Sequence, residues 1–499
     1  MHRIFRKRTL LVVALLVAAT LVVGYRCRKI LPLRAVLAAG QLTPQPIQYP
    51  GFPVAAATVD HWIASGNLAA MRTHGWKLWA GLAAVTPRTG GQPVFETWYS
   101  PSEVLAGSQG DSNSKSAALR RAGHAVHEFE VPEQIHHGRP RAVPAANASA
   151  AAVDVHDLTL IGKSFNTDYA QFVWKNNYQN PATIWALQAG WGTSPVSGRT
   201  IKPFTAPSIS LKPTYEFVNG PNHNNGLTTV KYWLGDLTTG PTHSSNPALP
   251  EPTTWNQCVV VNTGRASNPG NLTCFGTNTV ATGMVPVSQF YNYALTAAEA
   301  ANVCSELGLS NPCAIQAGDY AILVGMHIST KENSTWTWQT LWWNYNQPFP
   351  YGAPPASVSA PFNNYAMCTG YSMTTDPVNS SKGTNSLCYN PYLETQLPAP
   401  LVGIASNCMS CHTVASTGNN PNSGDTDSGS PRNFFGYPTF IKGTANISVW
   451  DAADDKVFFD CQTTTDTSWF LANNAAAGAP GNQTPCVLTA VHKSPPPKK

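Results

Sequence analysis

Residues 320–328 read YAILVGMHI, and residues 335–340 read TWTWQT. The first run is apolar almost throughout, which predicts a buried strand that ends near His327. The second run alternates threonine and tryptophan, which is the period-two pattern of another strand. These two runs decide the fold class, because they predict consecutive strands in the middle of a long chain.

The surrounding sequence adds further strands and a smaller number of helices. Gly, Pro and Asn turns separate the other predicted strands, which are 208–211, 214–218, 228–234 and 258–261. Helices are predicted over 60–84, over 166–177 and from 296 to about 307, and two S/T-x-x-E capping boxes stand at 100–103 and 296–299. This order predicts an α+β fold with a mixed, largely antiparallel sheet and long loops.

The composition excludes several classes of protein. Of 499 residues, 42% are hydrophobic and only 11% are charged, against roughly 25% charged residues in an ordinary soluble domain. Forty-one prolines and 38 glycines argue against coiled coils and other long uninterrupted helices. Few charges also argue against a nucleic-acid-binding protein, which needs a dense basic surface.

The first 40 residues predict export. Eight of the 31 basic residues lie within residues 1–34, and the first acidic residue is Asp60. Without residues 1–34 the chain carries 23 basic and 26 acidic residues, a net charge of −3 instead of +5. A basic stretch precedes the apolar run 10–24, which is typical of a secretory signal peptide or an uncleaved signal anchor. We therefore expect a periplasmic protein, or one anchored in the membrane and facing the periplasm or extracellular space.

The eleven cysteines fall into three groups. Cys27 belongs to the signal region, and Cys408 and Cys411 stand in one short motif. The other eight form an even set that predicts disulfides in an oxidising compartment. Pairing of nearest neighbours would give four local bridges, which are Cys258–Cys274, Cys304–Cys313, Cys368–Cys388 and Cys461–Cys486.

The motif Cys408-Met-Ser-Cys411-His412 is the most specific feature of the sequence. CxxCH is the signature of c-type haem attachment. Two cysteines three residues apart share one side of a helical turn, so both sulfurs can form thioethers with the haem vinyl groups. The adjacent histidine can then serve as the proximal axial ligand of the iron. The motif predicts one covalently attached haem c.

Three other interpretations of this motif are weaker. A redox-active CxxC pair usually follows a strand and opens a helix, but Pro398, Pro400 and Gly403 precede the motif. A zinc site would need a second pair of ligands nearby, and no CxxC or HxxxH follows. A disulfide between Cys408 and Cys411 would be strained.

The second axial ligand of such a haem is not evident from the motif. No methionine follows the motif. The only histidine after His412 is His492, which lies in a Lys/Pro-rich tail. The ligand would then come from earlier in the chain, or the sixth position would stay open. His327 is the first candidate, although a lone histidine on a strand is more often a core residue. Further candidates are Met326 and two methionines expected in a Gly/Asn-rich loop, Met373 and Met367.

Four tryptophans near the second strand allow a carbohydrate-binding hypothesis, because flat aromatic faces suit sugar rings. They are Trp336, Trp338, Trp342 and Trp343. We favour a different role for them, as part of the core or as a wall beside the haem, because tryptophans on a strand bury well.

Several short strings resemble those of exported bacterial proteins of the cytochrome c family, in which a large α+β region precedes one attachment motif. The strings are FETWYS (95–100), SISLK (208–212), LVGMH (323–327), WTW (336–338), SNCMSCH (406–412) and TD (465–466) with Trp469. The resemblance implies haem binding and electron transfer, without a known substrate. It divides the chain into a signal region (1–40), an α+β body with long loops (41–400), and a haem-attachment segment with a C-terminal tail (401–499).

The leading hypothesis is an exported cytochrome with one haem c that transfers single electrons between redox partner proteins. We expect an electron carrier more than a catalyst, and no nucleic acid among its partners. A membrane would be contacted only through the N-terminal anchor. One alternative is a haem enzyme of the peroxidase or oxidase type, with an open or displaceable sixth position. Another is a tryptophan-rich module that binds a glycan or small molecule, with the haem as a sensor.

Overall fold

The computed structural model describes a part of the chain that excludes the predicted signal region. The described residues are 42–107, 118–120, 123–132, 159–189, 200–233, 255, 257–264, 270–274, 277–309, 313–349, 352–371, 388, 390–393, 412, 415–418, 462–466 and 468–477. Cys27, Met373, Cys408, Cys411, Cys461, Cys486 and His492 lie outside them.

The described helices are short, as the many glycines and prolines lead one to expect. They are α1 (Ala56–Ala64), α2 (Leu68–Ala83), α3 (Pro101–Leu105), α4 (Thr167–Lys175), α5 (Pro181–Ala189), α6 (Ala297–Glu306) and α7 (Trp469–Ala477). Both capping boxes are confirmed, since the side chains of Ser100 and Thr296 accept hydrogen bonds from the N–H groups three residues later.

Strands make up the centre of the described structure. They are β1 (Leu160–Ile161), β2 (Ser164–Phe165), β3 (Ile209–Val218), β4 (Leu227–Lys231), β5 (Cys258–Asn262), β6 (Met284–Pro286), β7 (Asn292–Ala294), β8 (Tyr320–Thr330), β9 (Thr337–Trp343), β10 (Tyr365–Thr369), β11 (Ser416–Gly418) and β12 (Gln462–Thr464).

The main sheet is antiparallel and has seven strands. Its order is β1-β3-β8-β9-β10, while β2 also pairs with β3 and β7 with β8. A smaller sheet has the order β4-β5-β6, in which β5 and β6 run parallel, and β11 pairs with β12 in a third. The mixed α+β class with largely antiparallel sheets is thus confirmed.

Several predicted elements have different boundaries in the structure. The helix expected over 60–84 is two helices, because the chain turns at Gly66, whose φ of +63° suits glycine. Asn67 then accepts a hydrogen bond from Ala70 N and begins α2. The two strands expected over 208–211 and 214–218 are the single strand β3, which continues past Pro213 with a register shift between Thr214 and Tyr215.

The two faces of the β8–β9–β10 region pack against different parts of the chain. On one face, which we call the α2 face, a Cβ added to Gly75 of α2 would lie 2.8 Å from Met367 Sδ and 3.2 Å from Gln339 Cγ. The opposite face is the His412 face, on which Trp338 and Thr340 lie, because side chains alternate along a strand. On that face, Asn390 Nδ2 donates to Thr340 Oγ1 (3.2 Å).

Three of the four predicted disulfides are confirmed. The sulfurs of Cys258 and Cys274, of Cys304 and Cys313, and of Cys368 and Cys388 are bonded. They close local loops and so restrict the unfolded chain. The fourth pair lies outside the described residues.

Within the described ranges, none of the helices has both the length and the apolar character needed to cross a membrane.

Candidate functional site

His412 is the member of the CxxCH motif that the structure describes, and it packs against Trp338 of β9. The centroids of the two rings are 4.2 Å apart, with an angle of 40° between the ring planes. Trp338 is itself buried, and its Nε1 donates to Thr335 O (3.0 Å). The half-buried imidazole therefore lies against a fixed aromatic surface on the sheet.

Residues from the C-terminal segment hold the backbone beside His412. Ala415 N donates to His412 O (3.2 Å), and Thr465 donates to Ala415 O through both its N–H and its hydroxyl (3.0 Å each). Ser468 Oγ continues this connection to Tyr169 OH (2.7 Å) on α4. Because these groups are buried, their hydrogen bonds fix the position of the segment.

His327 lies on the same face of the sheet as Trp338. The register pairs His327 with Thr340 and Ser329 with Trp338. Residues directly opposite each other in an antiparallel pair share a face, as do residues two apart along one strand. The structure therefore places the first-choice distal ligand on the His412 face, where it is partly buried.

Met367 lies on the α2 face, opposite Leu341 in the register. The expectation of a loop around this methionine is wrong, because it belongs to β10 and is 1% exposed. The alternation of side chains leaves Met367 and Trp338 on opposite sides of the sheet. Met326 is two residues from Ile328 on the same strand and shares the face of Leu341. The structure thus places His327, and neither of these methionines, on the face of the sheet that His412 contacts.

The remaining predicted site residues, Met373, Cys408 and Cys411, cannot be placed because they lie outside the described residues. In the part of the chain that is described, no cluster of three or more His, Cys, Asp or Glu side chains is arranged to hold a metal ion.

A buried ion pair lies in the same neighbourhood as Trp336 and Trp338. Lys331 Nζ is 2.8 Å from Asp466 Oδ1 and lies 5.4 Å from the centre of the Trp336 ring. Asp466 Oδ2 accepts a hydrogen bond from Phe204 N (2.7 Å). Burial raises the pKa of the Asp466 carboxyl above its ordinary value, and the charge of Lys331 opposes part of that rise.

Trp336, Trp338, Trp342 and Trp343 are core residues, one of the two roles that we favoured from the sequence. Each is at most 3% exposed, so none offers a free face for stacking on a sugar. Trp342 and Trp343 belong to the main core, whereas Trp336 and Trp338 belong to a second cluster with residues of α4, α5 and α7. The strand expected to include Trp336 begins only at Thr337, and Trp336 has a φ of +61° in the preceding turn.

A second group of polar residues is buried on the α2 face. His74 Nε2 is 3.2 Å from Glu332 Oε2, and His74 Nδ1 is hydrogen-bonded to Tyr371 OH at 2.6 Å. Gln339 Nε2 also donates to Tyr371 OH (3.0 Å). The rings of Tyr49 and Trp62 each lie 5.6 Å from the imidazole.

A third histidine, His127, joins two carboxylates. Its Nε2 lies 2.7 Å from Glu96 Oε2 and its Nδ1 lies 2.8 Å from Glu299 Oε1, while its ring stacks on Tyr293 at 3.9 Å. Burial opposes the charged imidazole, but the two carboxylates outweigh it and raise the pKa of His127 to about 9. For Glu299, burial is outweighed by the hydrogen bond and charge of His127, and its pKa falls to about 2.

Neither of these two clusters is evident from the amino-acid sequence. Their members come from segments far apart in the chain and follow no spacing rule. The local signal that existed was the capping box at Thr296, which marks Glu299 as a capping residue and gives no hint of His127.

Comparison of this chain with protein-family models, with curated proteins and with solved structures finds no significant match.

Proposed function

We propose that this protein is an exported c-type cytochrome with one covalent haem, which transfers single electrons between redox partner proteins. The observation that carries the proposal is the CxxCH motif together with the packing of its histidine on Trp338. A haem bound there would supply an iron that gains or loses one electron.

The described residues fit such a group in three respects. His412 offers an imidazole nitrogen, the usual proximal donor in haem proteins. Trp338 packs against the His412 imidazole and belongs to a buried apolar cluster with Trp336, which would shield a redox centre from water. His327 offers a second imidazole on the same face of the sheet. Cys408 and Cys411 would attach the haem through thioethers, as the motif predicts.

The protein residues have defined roles in this proposal. Ala415 N donates to His412 O and Thr465 donates to Ala415 O, so these hydrogen bonds would hold the backbone of the ligand in one position. Trp338 limits the orientations of the imidazole by direct ring contact. The disulfides suit an oxidising compartment, although they do not by themselves locate the protein there.

The test is whether haem becomes covalently attached to the protein when it is expressed in cells that assemble c-type cytochromes. We expect the denatured, purified wild-type protein to keep one haem, measured by intact mass and by the visible spectrum of its pyridine complex. The double variant Cys408→Ser/Cys411→Ser should lose it. The matched control is Cys304→Ser/Cys313→Ser, which also removes two cysteines but should keep the haem.

A wild-type protein without covalent haem, in cells that mature a reference cytochrome, would contradict the proposal. Carbon monoxide then distinguishes a carrier from a haem enzyme. A six-coordinate electron carrier should be inert to it, whereas rapid binding to the reduced protein would favour the enzyme with an open sixth position.

A further inference from the structure

Tyr371, His74 and Glu332 lie in contact in the interior of the protein, 1–3% exposed, with His74 Nε2 3.2 Å from Glu332 Oε2. The Tyr371 hydroxyl is 2.6 Å from His74 Nδ1 and accepts a hydrogen bond from Gln339 Nε2 at 3.0 Å. A longer contact of 3.3 Å leads from the same hydroxyl to Met71 O. The shortest of these contacts is the one to a basic nitrogen.

Glu332 lies on the other side of the imidazole from Tyr371 and accepts two hydrogen bonds. Its Oε1 accepts from Val54 N (2.6 Å), and its Oε2 accepts from Thr330 Oγ1 (2.5 Å). Both are donors that stabilise a carboxylate. For Nδ1 to accept from the phenol, the imidazole must carry its proton on Nε2, which lies 3.2 Å from Glu332 Oε2. This tautomer is assigned from the hydrogen-bond partners.

The chemistry of a buried phenol explains why such an acceptor matters. Burial raises the pKa of Tyr371 well above its ordinary value, and the negative charge of Glu332 raises it further. Loss of an electron makes a phenol strongly acidic, so its oxidation in the interior requires a base that takes the proton at once. His74 Nδ1 is such a base at hydrogen-bond distance.

We propose that Tyr371 is a redox-active tyrosine and that His74 is its proton acceptor. A one-electron oxidant of the high-potential metal-complex class takes one electron from the phenol, the O–H bond breaks, and the proton moves to His74 Nδ1. The products are a neutral tyrosyl radical and an imidazolium whose Nε2–H faces Glu332. One returning electron and the same proton restore the starting state.

Routes for the electron exist on both sides of the cluster. The rings of Tyr49 and Trp62 contact the imidazole and are partly exposed, so they connect it with the protein surface. On the other side, Gly370 N, next to Tyr371 in the chain, donates to Trp338 O (2.9 Å). The inference rests on these residues alone and stands whether or not His412 binds a haem.

The experiment adds hexachloroiridate(IV) to the full chain and follows radicals by freeze-quench electron paramagnetic resonance. We expect a neutral tyrosyl signal in the wild type and its loss in Tyr371→Phe. The matched control is Tyr365→Phe, which should keep the signal. Tyr365 is equally buried, but its hydroxyl donates to a backbone carbonyl, Leu323 O (2.6 Å), which cannot accept the proton.

His74→Gln tests the proton acceptor separately. Radical formation should slow by about a hundredfold or more, because a positioned base contributes at least that factor. Equal signals in the wild type and Tyr371→Phe, or equal rates in the wild type and His74→Gln, would overturn the proposal.

If a variant does not fold, the wild type alone decides. A radical that forms more slowly in D₂O and carries an exchangeable deuteron at its oxygen supports the proposal. The absence of a radical, or a radical without either property, overturns it.

Discussion

His127 shows how single residues in this protein combine charge with burial. Both ring nitrogens face carboxylates, and the flat contact with Tyr293 leaves little room for the ring to turn. Glu96 lies in the segment before α3, whereas Glu299 lies in the first turn of α6, where it accepts from the backbone N–H of the capping residue Thr296. One imidazolium therefore connects two separate parts of the fold.

The pKa values of this cluster predict a dependence of stability on pH. The raised pKa of His127 means that its contribution is complete below about 6.5 and is lost as the pH rises through about 9. The lowered pKa of Glu299 adds stability above about 4.5 that is lost as the pH falls through about 2. In urea unfolding of the wild type and His127→Gln, the difference in unfolding free energy should shrink between pH 6.5 and 9.

A difference that stays constant over that interval would show that His127 is not charged in the folded protein. His124→Gln is the control, since it removes a nearby histidine outside the Glu96–Glu299 pair.

At the level of elements, the turn between β8 and β9 is held by several distant segments. Lys331 pairs with Asp466, Glu332 contacts His74 and accepts from Val54 N, and Asn333 donates to Asp60. Trp336 completes the turn at a φ of +61°, a conformation that is costly for a bulky residue. The surrounding contacts must therefore outweigh this conformational cost. The turn they hold lies directly before Trp338, the residue that contacts His412.

Removal of Lys331 should be strongly destabilising. Lys331→Met leaves the buried Asp466 carboxylate without its counter-charge, which we expect to lower the unfolding free energy by about 3–5 kcal/mol. The double variant Lys331→Met/Asp466→Asn should recover part of this loss, because no uncompensated charge remains. Denaturant unfolding of both single variants and the double variant measures the coupling. Strict additivity would show that the pair contributes nothing.

The elements that the sequence predicted well depend on local rules. The capping boxes at Ser100 and Thr296 involve four residues each, and the cysteine pairs are neighbours in the chain. The apolar run of β8 predicts a buried strand even when the neighbouring strands are not known. In contrast, the alternation of Trp336 with Trp338 suggested a strand that includes both residues. In the structure β9 begins at Thr337, and Trp336 lies in the preceding turn, where its ring contacts Lys331.

The candidate site is harder to predict because it forms between distant segments. CxxCH identified His412, but the sequence offered a wall beside the haem only as one of two roles for four tryptophans and did not single out Trp338. Strand register decides on which face of the sheet His327 and Met367 lie. A shift of one residue would move each side chain to the other face, and the sequence does not exclude such a shift. Glu332 and His74 meet only after the whole sheet has formed.

At the level of the whole molecule, the main sheet separates two environments, which would limit the choice of axial ligand for a haem at His412. If haem is attached at His412, His327→Ala should open the sixth position and allow carbon monoxide to bind to the reduced protein. Met367→Leu, a change of similar volume on the α2 face, should leave the spectrum unchanged. The visible spectra of both variants in both oxidation states check this. An altered spectrum in Met367→Leu, with none in His327→Ala, would contradict the assignment.

Lys331 and Glu332 are neighbours in the chain, yet one holds the segment around Asp466 and the other holds the segment around Val54. An early and a late part of the described chain are thus both held by two adjacent residues, Lys331 and Glu332. Fraying of either part would release the turn that anchors the other, so the two should open together as one cooperative unit.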